Sequence, residues 1–236
     1  MGSQLRVISA NLKNGDADPE AFVDLLVACN ADVVAVQELA PNQAEALGRA
    51  FPYGRLEPAF GHMGMGIALR HSAEFDRIPL VYRDARVARL DCEHWPALPR
   101  PLEIVNVHIA SPTWGPGLAQ FPRRRVQSRH LCDYLDRTRG RARVVLGDFN
   151  ASPIWPVYRN LAKRLEDLAV THARSQSTKP ARTWARWVGG PRLFRIDHCF
   201  GHGVAVDDFS VIEIRGSDHS GLVVDLSIRS TAASET

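Results

Sequence analysis

The clearest indication of the fold is the segment Val144-Val145-Leu146-Gly147-Asp148-Phe149-Asn150. Its first three residues are apolar, two of them β-branched, and Gly147 separates them from the polar residues Asp148 and Asn150. Such a short apolar run, closed by glycine and polar residues, predicts a buried β-strand. We therefore expect a strand over residues 144–146 that ends by presenting a carboxylate and an amide.

Five more segments share this apolar, β-branched pattern and are bounded by Gly, Pro, Asn or Asp. They are residues 5–9, 33–36, 67–69, 102–109 and 222–226. Between the first two, Asp18 is a predicted N-cap and Pro19 a first helical residue, and apolar residues follow at helical spacing. A second, arginine-rich helix is predicted from Pro122 to about Arg137, and shorter helices over residues 42–50 and 158–165. The pattern indicates an α/β protein with a mixed sheet.

The chain has 236 residues, of which 45% are hydrophobic and 23% charged, enough for one large buried core. We expect a single domain over residues 4–229 and a polar C-terminal tail over residues 230–236. The four cysteines, at positions 29, 92, 132 and 199, form no CxxC pair, which argues against a zinc site and favours reduced core residues. No apolar run is long enough to span a membrane and none resembles a signal peptide. We expect a soluble protein, either cytoplasmic or secreted after loss of a signal.

Polar residues recur at the ends of the apolar segments, and this recurrence points to a site. They are Asn11, Glu38, His108, Asp148, Asn150, Asp197, Asp218 and His219. Strand ends meet at one edge of a sheet, where α/β folds build their sites. Carboxylate and amide oxygens suit a hard cation such as Mg²⁺ or Mn²⁺, and histidines manage protons and developing charge. The sequence lacks a GxSxG nucleophile motif and a GxxxxGK[ST] phosphate loop, so metal-assisted attack of water on a phosphoester is the remaining chemistry.

These motifs and their order resemble the endonuclease/exonuclease/phosphatase superfamily, which includes pancreatic-type deoxyribonuclease. The resemblance runs from Arg6 to Leu226 through Asn11, Gln37-Glu38, residues 106–108, 147–150, 183–184, 195–197 and 217–220. It implies a four-layer α-β-β-α sandwich of two mixed β-sheets flanked by helices. It also implies a phosphoesterase that depends on Mg²⁺, with Mn²⁺ able to substitute.

The resemblance further implies a role for each matching residue. Glu38 and Asn11 match metal-binding positions, and Asp218 matches a further or water-mediated ligand. Asp148 matches the residue that orients and deprotonates water, and Asn150 the amide that holds this water. His219 would contact the scissile phosphate while Asp197 fixes its tautomer, and His108 is a second phosphate-facing imidazole. The other seven histidines, at positions 62, 71, 94, 130, 172, 198 and 202, match no motif, and we expect them to be structural or exposed.

Basic residues are concentrated in two segments although the net charge is only +3. Residues 123–143 contain eight arginines and two aspartates, and residues 179–195 contain five basic residues and no acid. Such segments favour phosphate-bearing partners, and a solvated helix face is the alternative interpretation. Candidate nucleic-acid contacts are Lys13, Arg124, Arg125, Arg129, Arg182, Arg186 and Trp187. We expect Trp184 to be a core residue and the loop around Trp114 to face the substrate.

Three functions from different classes remain open at this point. The first is a sequence-nonspecific, metal-dependent nuclease, with DNA as the expected substrate and partner. The second is a phosphodiesterase or phosphatase that acts on a lipid head group or another small phosphorylated molecule. The third is an inactive binding module, which the full set of site residues disfavours. We expect a monomer with no obligate protein partner and no membrane association.

Overall fold

A computed structural model describes residues 5–112 and 120–229 of the chain. The predicted loop around Trp114 and the predicted tail over residues 230–236 lie outside the described residues. The strands are β1 Leu5–Asn11, β2 Val33–Gln37, β3 Tyr53–Glu57, β4 Met65–Leu69, β5 Glu74–Ile78, β6 Ala85–Leu90, β7 Leu102–His108, β8 Arg143–Asp148, β9 Glu166–Asp167, β10 Asp197–His202, β11 Val204–Glu213 and β12 Ser220–Ile228. The helices are α1 Pro19–Ala28, α2 Pro41–Ala50, α3 Gln120–Arg137, α4 Pro156–Ala162 and α5 Leu168–Ser175.

The strands form two six-stranded mixed sheets. Sheet A has the order β11-β12-β1-β2-β4-β3, and sheet B has the order β5-β6-β7-β8-β10-β9. Each sheet has one parallel pair at its centre, β1 with β2 in sheet A and β7 with β8 in sheet B. The other strand pairs are antiparallel, so the carboxyl ends of the central strands share an edge with the amino ends of β10 and β12.

The two sheets face each other across an apolar core, and helices α1 to α4 cover their outer faces, whereas α5 packs against β10 and β11 and adds to the core between the sheets. Strand residues such as Val7, Ile67, Ile104 and Val144 fill the space between the sheets. On the outside of sheet A, Phe22 and Leu26 of α1 pack with Ile8 and other strand residues. Helices α3 and α4 cover sheet B through residues that include Leu131 and Leu161. This arrangement confirms the α/β four-layer sandwich that the motifs implied.

The helix predictions are confirmed at the strongest signals. Asp18 caps α1, because its side chain accepts a hydrogen bond from the Ala21 N–H at 3.1 Å and Pro19 follows at the first helical position. Helix α3 begins two residues before the predicted start at Pro122 and ends at the predicted Arg137. All four cysteines are free, but Cys92 is exposed, so the prediction that the cysteines are core residues is wrong for this one.

None of the helices in the described parts of the chain has the length and apolar character needed to cross a membrane.

Candidate active site

The polar residues predicted at the strand ends do converge at one edge of the sandwich. Asn11 and His108 end β1 and β7, Asp148 ends β8, and Glu38 directly follows β2. Asp197 and His219 lie at the starts of β10 and β12 rather than at strand ends. They still reach the same edge, because β10 runs antiparallel to β8 and pairs Asp197 with Asp148.

A buried polar contact fixes the two sheets relative to each other just below this edge. Gln37 of sheet A donates a hydrogen bond of 2.7 Å from Nε2 to Oδ1 of Asn106 in sheet B. Asn106 in turn donates from Nδ2 to the carbonyl oxygens of Val36 and Gly66, both at 2.9 Å. Since both side chains are fully buried, these bonds tie the registers of the two sheets together under the site.

Asp148 lies at the centre of the site and is almost fully buried. Its Oδ1 accepts from the Asn150 N–H at 2.7 Å, and its Oδ2 accepts from the side-chain amides of Asn150 at 2.8 Å and Asn11 at 3.1 Å. The pKa of Asp148 is raised to about 7, chiefly by burial; the charge of His219 opposes this rise, and the negative charges of Asp197 and Glu38 add to it. A carboxylate with this pKa can accept a proton from water near neutral pH.

His219 and Asp197 form a buried ion pair beside Asp148. The imidazole Nδ1 lies 3.0 Å from both carboxylate oxygens of Asp197, so the contact with Asp197 uses Nδ1 and not Nε2. Burial lowers the pKa of His219, but the charge and hydrogen bond of Asp197 outweigh burial and raise it to about 10. His219 is therefore a protonated, cationic imidazole at neutral pH. Asp197 is itself held by Thr183, whose hydroxyl accepts a hydrogen bond of 3.2 Å from the Asp197 N–H.

Glu38, His108 and Asp148 form a group that fits a divalent cation. Each offers one ligand atom, and the three atoms lie within 4.8 Å of one another. His108 Nε2 is 3.5 Å from both Glu38 Oε1 and Asp148 Oδ2. Burial, together with the charge of Arg83, lowers the pKa of His108 well below its ordinary value, so this imidazole is neutral. Two carboxylates so close together in a buried place favour a cation that neutralises them.

The amide of Asn11 faces both carboxylates of this group. Its Nδ2 donates to Glu38 Oε1 at 3.2 Å as well as to Asp148, and its Oδ1 accepts from the Lys13 N–H at 2.9 Å. These residues line a cavity, and Asp218 lies in its wall, where Oδ2 accepts a hydrogen bond of 3.2 Å from Trp184 Nε1. Among the described residues it does not join the group of candidate ligand atoms around Glu38, so its role as a further ligand stays a prediction.

Three of the site residues that were predicted from sequence have backbones in the left-handed region although they are not glycine. They are Lys13 at φ 49°, Glu38 at φ 58° and Asn150 at φ 48°. This conformation is uncommon for such residues and is found at sites where the surrounding structure imposes it. The backbone N–H of Asn14 donates a hydrogen bond of 2.6 Å to Oε2 of Glu38 and so fixes the position of this carboxylate.

Comparison with known proteins agrees with this geometry. The family model described as "Endonuclease/Exonuclease/phosphatase family" matches residues 8–219. The chain belongs to this family. Its members are divalent-metal-dependent enzymes, and membership makes the chain a metal-dependent phosphoester hydrolase. No curated protein sequence matches it.

Solved structures of the family share the fold at low sequence identity. An endonuclease/exonuclease/phosphatase from Bacteroides vulgatus is 17% identical with a TM-score of 0.76, covering 96% of this chain and 99% of that one. A humanised TDP2 of D. rerio is 21% identical with a TM-score of 0.73, covering 95% and 99%. The catalytic domain of human Nocturnin, solved with a bound sulfate anion, is 20% identical with a TM-score of 0.70, covering 97% and 96%. At these identities the likeness concerns the fold.

Several residues around the candidate active site belong to no sequence motif and were not predicted as site residues. They line a cavity of about 600 Å³ together with the predicted residues, and they include His62, Tyr82, Arg83, Trp155 and Phe194. Arg83 is the least expected of them, because it is 5% exposed and its Nε has no hydrogen-bond partner among the described residues. Its position after Tyr82, in the turn between β5 and β6, carries no periodicity that sequence reasoning could use. Trp184, predicted as a core residue, is half-buried and lines the cavity.

The predicted nucleic-acid contacts separate into exposed and buried residues. Arg125, Arg129, Arg182, Arg186 and Trp187 are exposed. Lys13 lines the cavity and pairs with Asp16 at 2.7 Å. The prediction that Arg124 belongs to a phosphate-contacting surface is wrong. Its side chain is 2% exposed and donates hydrogen bonds to the carbonyl oxygens of Ala110 and Asn150.

Proposed function

We propose that this phosphoester hydrolase acts on nucleic acid, as a sequence-nonspecific endonuclease that cleaves DNA with Mg²⁺ or Mn²⁺. The observation that carries this proposal is the exposed arginines around the cavity. Arg182 and Arg186 flank Thr183 and Trp184, and Arg123 lies over the ring of Tyr82, 5.5 Å from its centroid. Within the described residues these three arginines form no ion pair with an acid. Exposed cations on both sides of a phosphoesterase site suit a substrate that carries phosphates beyond the one that is cleaved.

The predicted site residues at the strand ends form the floor of the cavity, and they divide the chemistry of hydrolysis among them. Asp148 accepts the proton of the attacking water, and the Asn150 amide, which donates to Asp148, orients the same water. His219 carries a positive charge toward the phosphate and can donate a proton to the leaving oxygen, while Asp197 holds its ring. Glu38, with Asn11 and His108 beside it, would hold the divalent cation. When bound, the cation supplies Lewis-acid stabilisation of the charge that builds on the phosphate oxygens.

A small phosphorylated molecule is the second candidate substrate. The cavity of about 600 Å³ has the size of small-molecule sites, and apolar rings such as Trp155 form part of its wall. On this alternative, the exposed arginines would lie outside the bound substrate. Their replacement would leave the rate of hydrolysis unchanged.

The test is cleavage of supercoiled plasmid by the purified protein in Mg²⁺. We expect nicking that stops in EDTA and falls by about 10²- to 10⁴-fold in Asp148→Asn, because the water loses its base. Asp133→Asn, an exposed change of the same kind on α3, is the control and should retain full activity. Intact plasmid, with bis(p-nitrophenyl) phosphate still hydrolysed, would move the assignment to a small phosphoester.

A further inference from the structure

One wall of the cavity is an exposed aromatic ring on a rigid support. Phe194 is 53% exposed and lies nearly parallel to Trp184, with an interplanar angle of 19° and ring centroids 6.1 Å apart. The two residues are also joined by backbone hydrogen bonds, from the Trp184 N–H to the Phe194 carbonyl at 2.9 Å and from the Leu193 N–H to the Trp184 carbonyl at 2.7 Å. The Phe194 ring is therefore fixed in place although half of it faces solvent.

This wall is fastened directly to the catalytic histidine. Trp184 forms an antiparallel bridge with His219, and its indole Nε1 donates to Asp218. The Ala185 N–H bonds the Asp218 carbonyl at 2.9 Å, and Arg192 donates to the same carbonyl at 2.8 Å. The ring of Phe194 therefore lies in the wall next to the imidazole that faces the phosphate.

The opposite wall has a different chemistry. There His62 Nε2 lies 2.6 Å from the hydroxyl of Tyr82, and the guanidinium groups of Arg83 and Arg123 each lie 5.5 Å from the centre of the Tyr82 ring. Arginines next to the ring leave this wall cationic. The walls are on opposite sides because β4 contacts β6 on one side of the sandwich and β10 contacts β12 on the other, with the floor between them.

From this asymmetry we propose that Phe194, supported by Trp184, is a stacking subsite for one unpaired base next to the scissile phosphate, and that the enzyme prefers single-stranded nucleic acid to duplex. The proposal rests on the nuclease function proposed above. A base in a duplex has both faces covered by its neighbours, so a ring at the cavity wall can stack only on a base that has left the helix or was never paired. The nucleotide on the other side of the scissile bond is held through its phosphate by the cationic wall.

The experiment compares a 20-nucleotide single strand, its blunt duplex, and single strands that carry one tetrahydrofuran abasic residue. We expect kcat/KM for the single strand to exceed that for the duplex by at least about tenfold. We also expect the abasic residue to suppress cleavage of the bond on one of its sides and to spare the bond on the other. Phe194→Ala should lower kcat/KM for the intact single strand by about 5- to 100-fold and leave the duplex value almost unchanged.

Phe60→Ala is the matched control. Phe60 is 90% exposed and does not line the cavity, so its loss should change neither rate. Binding of the labelled strands in EDTA, followed by fluorescence anisotropy, gives a readout without turnover, and Phe194→Ala should weaken binding to the single strand alone.

Equal cleavage of duplex and single strand, or equal losses on both in Phe194→Ala, would overturn the stacking subsite while the nuclease function stands. Cleavage on both sides of the abasic residue at the rate of the intact strand would also overturn it. If neither strand is cut and a small phosphodiester is hydrolysed, the nuclease function itself fails, and the subsite with it.

Discussion

At the scale of single residues, the site combines two buried groups whose proton affinities are shifted for different reasons. Asp148 holds its proton more tightly because it is buried near other carboxylates, whereas His219 does so because Asp197 compensates its charge. The carboxylate can therefore lose its proton near neutral pH while the imidazole keeps its own. A base and an acid in the same cavity are then both in their working forms over a range of about three pH units.

This arrangement predicts a bell-shaped dependence of kcat/KM on pH. Activity should fall on the alkaline side as pH passes through about 10, where His219 loses its proton, and on the acid side below about 7, because the bound cation favours ionised Asp148. Asp197→Asn removes the negative charge that favours the imidazolium, so the alkaline limb should move to lower pH. Rates measured from pH 5 to 11 check this, and an alkaline limb at the same pH in both proteins would contradict it.

The same pair should make folding stability depend on pH. His219 has a pKa in the folded state above its ordinary 6.5, so its contribution is complete below about pH 6.5 and is lost as pH rises through about 10. Urea unfolding at pH 6 and pH 10 should show this loss in the wild type and a smaller one in Asp197→Asn. Loss of equal size in both would assign the pH effect to other groups.

Most of the floor could be predicted from sequence, because Asp148, His219 and Glu38 each follow or precede an apolar run that marks their position. The walls could not. Tyr82 and Phe194 lie in irregular segments, where nothing in the sequence says which way a ring points. The prediction for Arg124 was wrong for a related reason. In an arginine-rich helix each arginine is expected to be solvated, and only the packed structure shows that two carbonyl oxygens accept hydrogen bonds from this one.

At the scale of elements, Arg124 fastens α3 to the two catalytic loops. Its guanidinium reaches Ala110 after β7 and Asn150 after β8, and it lies 5.1 Å from the centre of the Trp155 ring. Burial lowers its pKa to about 10, so it is still charged at neutral pH. The position of Asn150 relative to Asp148 therefore depends on a helix that contributes no group to the floor.

Arg124→Ala should lower the free energy of unfolding by about 2–4 kcal/mol, because it leaves two buried carbonyl oxygens without a donor and opens a cavity. Arg125→Ala, one residue away but exposed, should change it by less than about 0.5 kcal/mol. Chemical unfolding of the two variants checks the difference. Similar values for both would mean that the Arg124 contacts contribute nothing net.

Gly147 gives a second test at this scale. It has φ 135°, and an added Cβ would lie 2.0 Å from the Val107 carbonyl oxygen in the neighbouring strand. Gly147→Ala should therefore destabilise the protein by more than about 3 kcal/mol. Gly48→Ala, where helix α2 has open space, should instead stabilise it by about 0.5–1 kcal/mol. Thermal melts of the two variants should shift in opposite directions.

Elements with one strong local signal were predictable, and edge elements were not. Strand β8 and helix α1 are marked by an apolar run and by a cap. Strands β3 and β5 are short, mostly exposed edge strands whose residues do not alternate. Helix α5 is only eight residues long, and its signal, the cap by Asp167, is a single side chain that accepts from the Val170 N–H. Pairing with neighbours, rather than local sequence, forms such elements.

At the scale of the whole molecule, the cation site draws on both sheets, since Glu38 follows β2 of sheet A and His108 ends β7 of sheet B. A cation bound there should hold the two sheets together and stabilise the folded state. With Mg²⁺ at about 100 times its dissociation constant, the gain should be about 2.7 kcal/mol. Glu38→Gln should abolish this gain, whereas Glu45→Gln, an exposed change on α2, should retain it. Melting temperatures with and without Mg²⁺ decide between these outcomes.

On the proposed nuclease function, the exposed arginines should govern how binding of nucleic acid depends on salt. Replacing Arg182 and Arg186 together with glutamine should reduce the slope of log affinity against log salt by about 1.4 for a single strand, about 0.7 for each lost phosphate contact. Arg49→Gln with Arg139→Gln is the control, because these arginines are exposed but already paired with acids. An unchanged slope in the first pair would mean that those arginines do not meet the substrate.

The position of β12 in sheet A bears on when the active site is assembled during synthesis of the chain. This strand lies inside sheet A, between β11 and β1, yet it is the last of the described strands in chain order and follows directly after His219. A nascent chain that still lacks it has an incomplete sheet A, and the segment that carries His219 is not yet anchored to that sheet. A chain that stops before residue 220 should therefore contain every candidate active-site residue and still hydrolyse no phosphoester, because the strand that anchors His219 is missing.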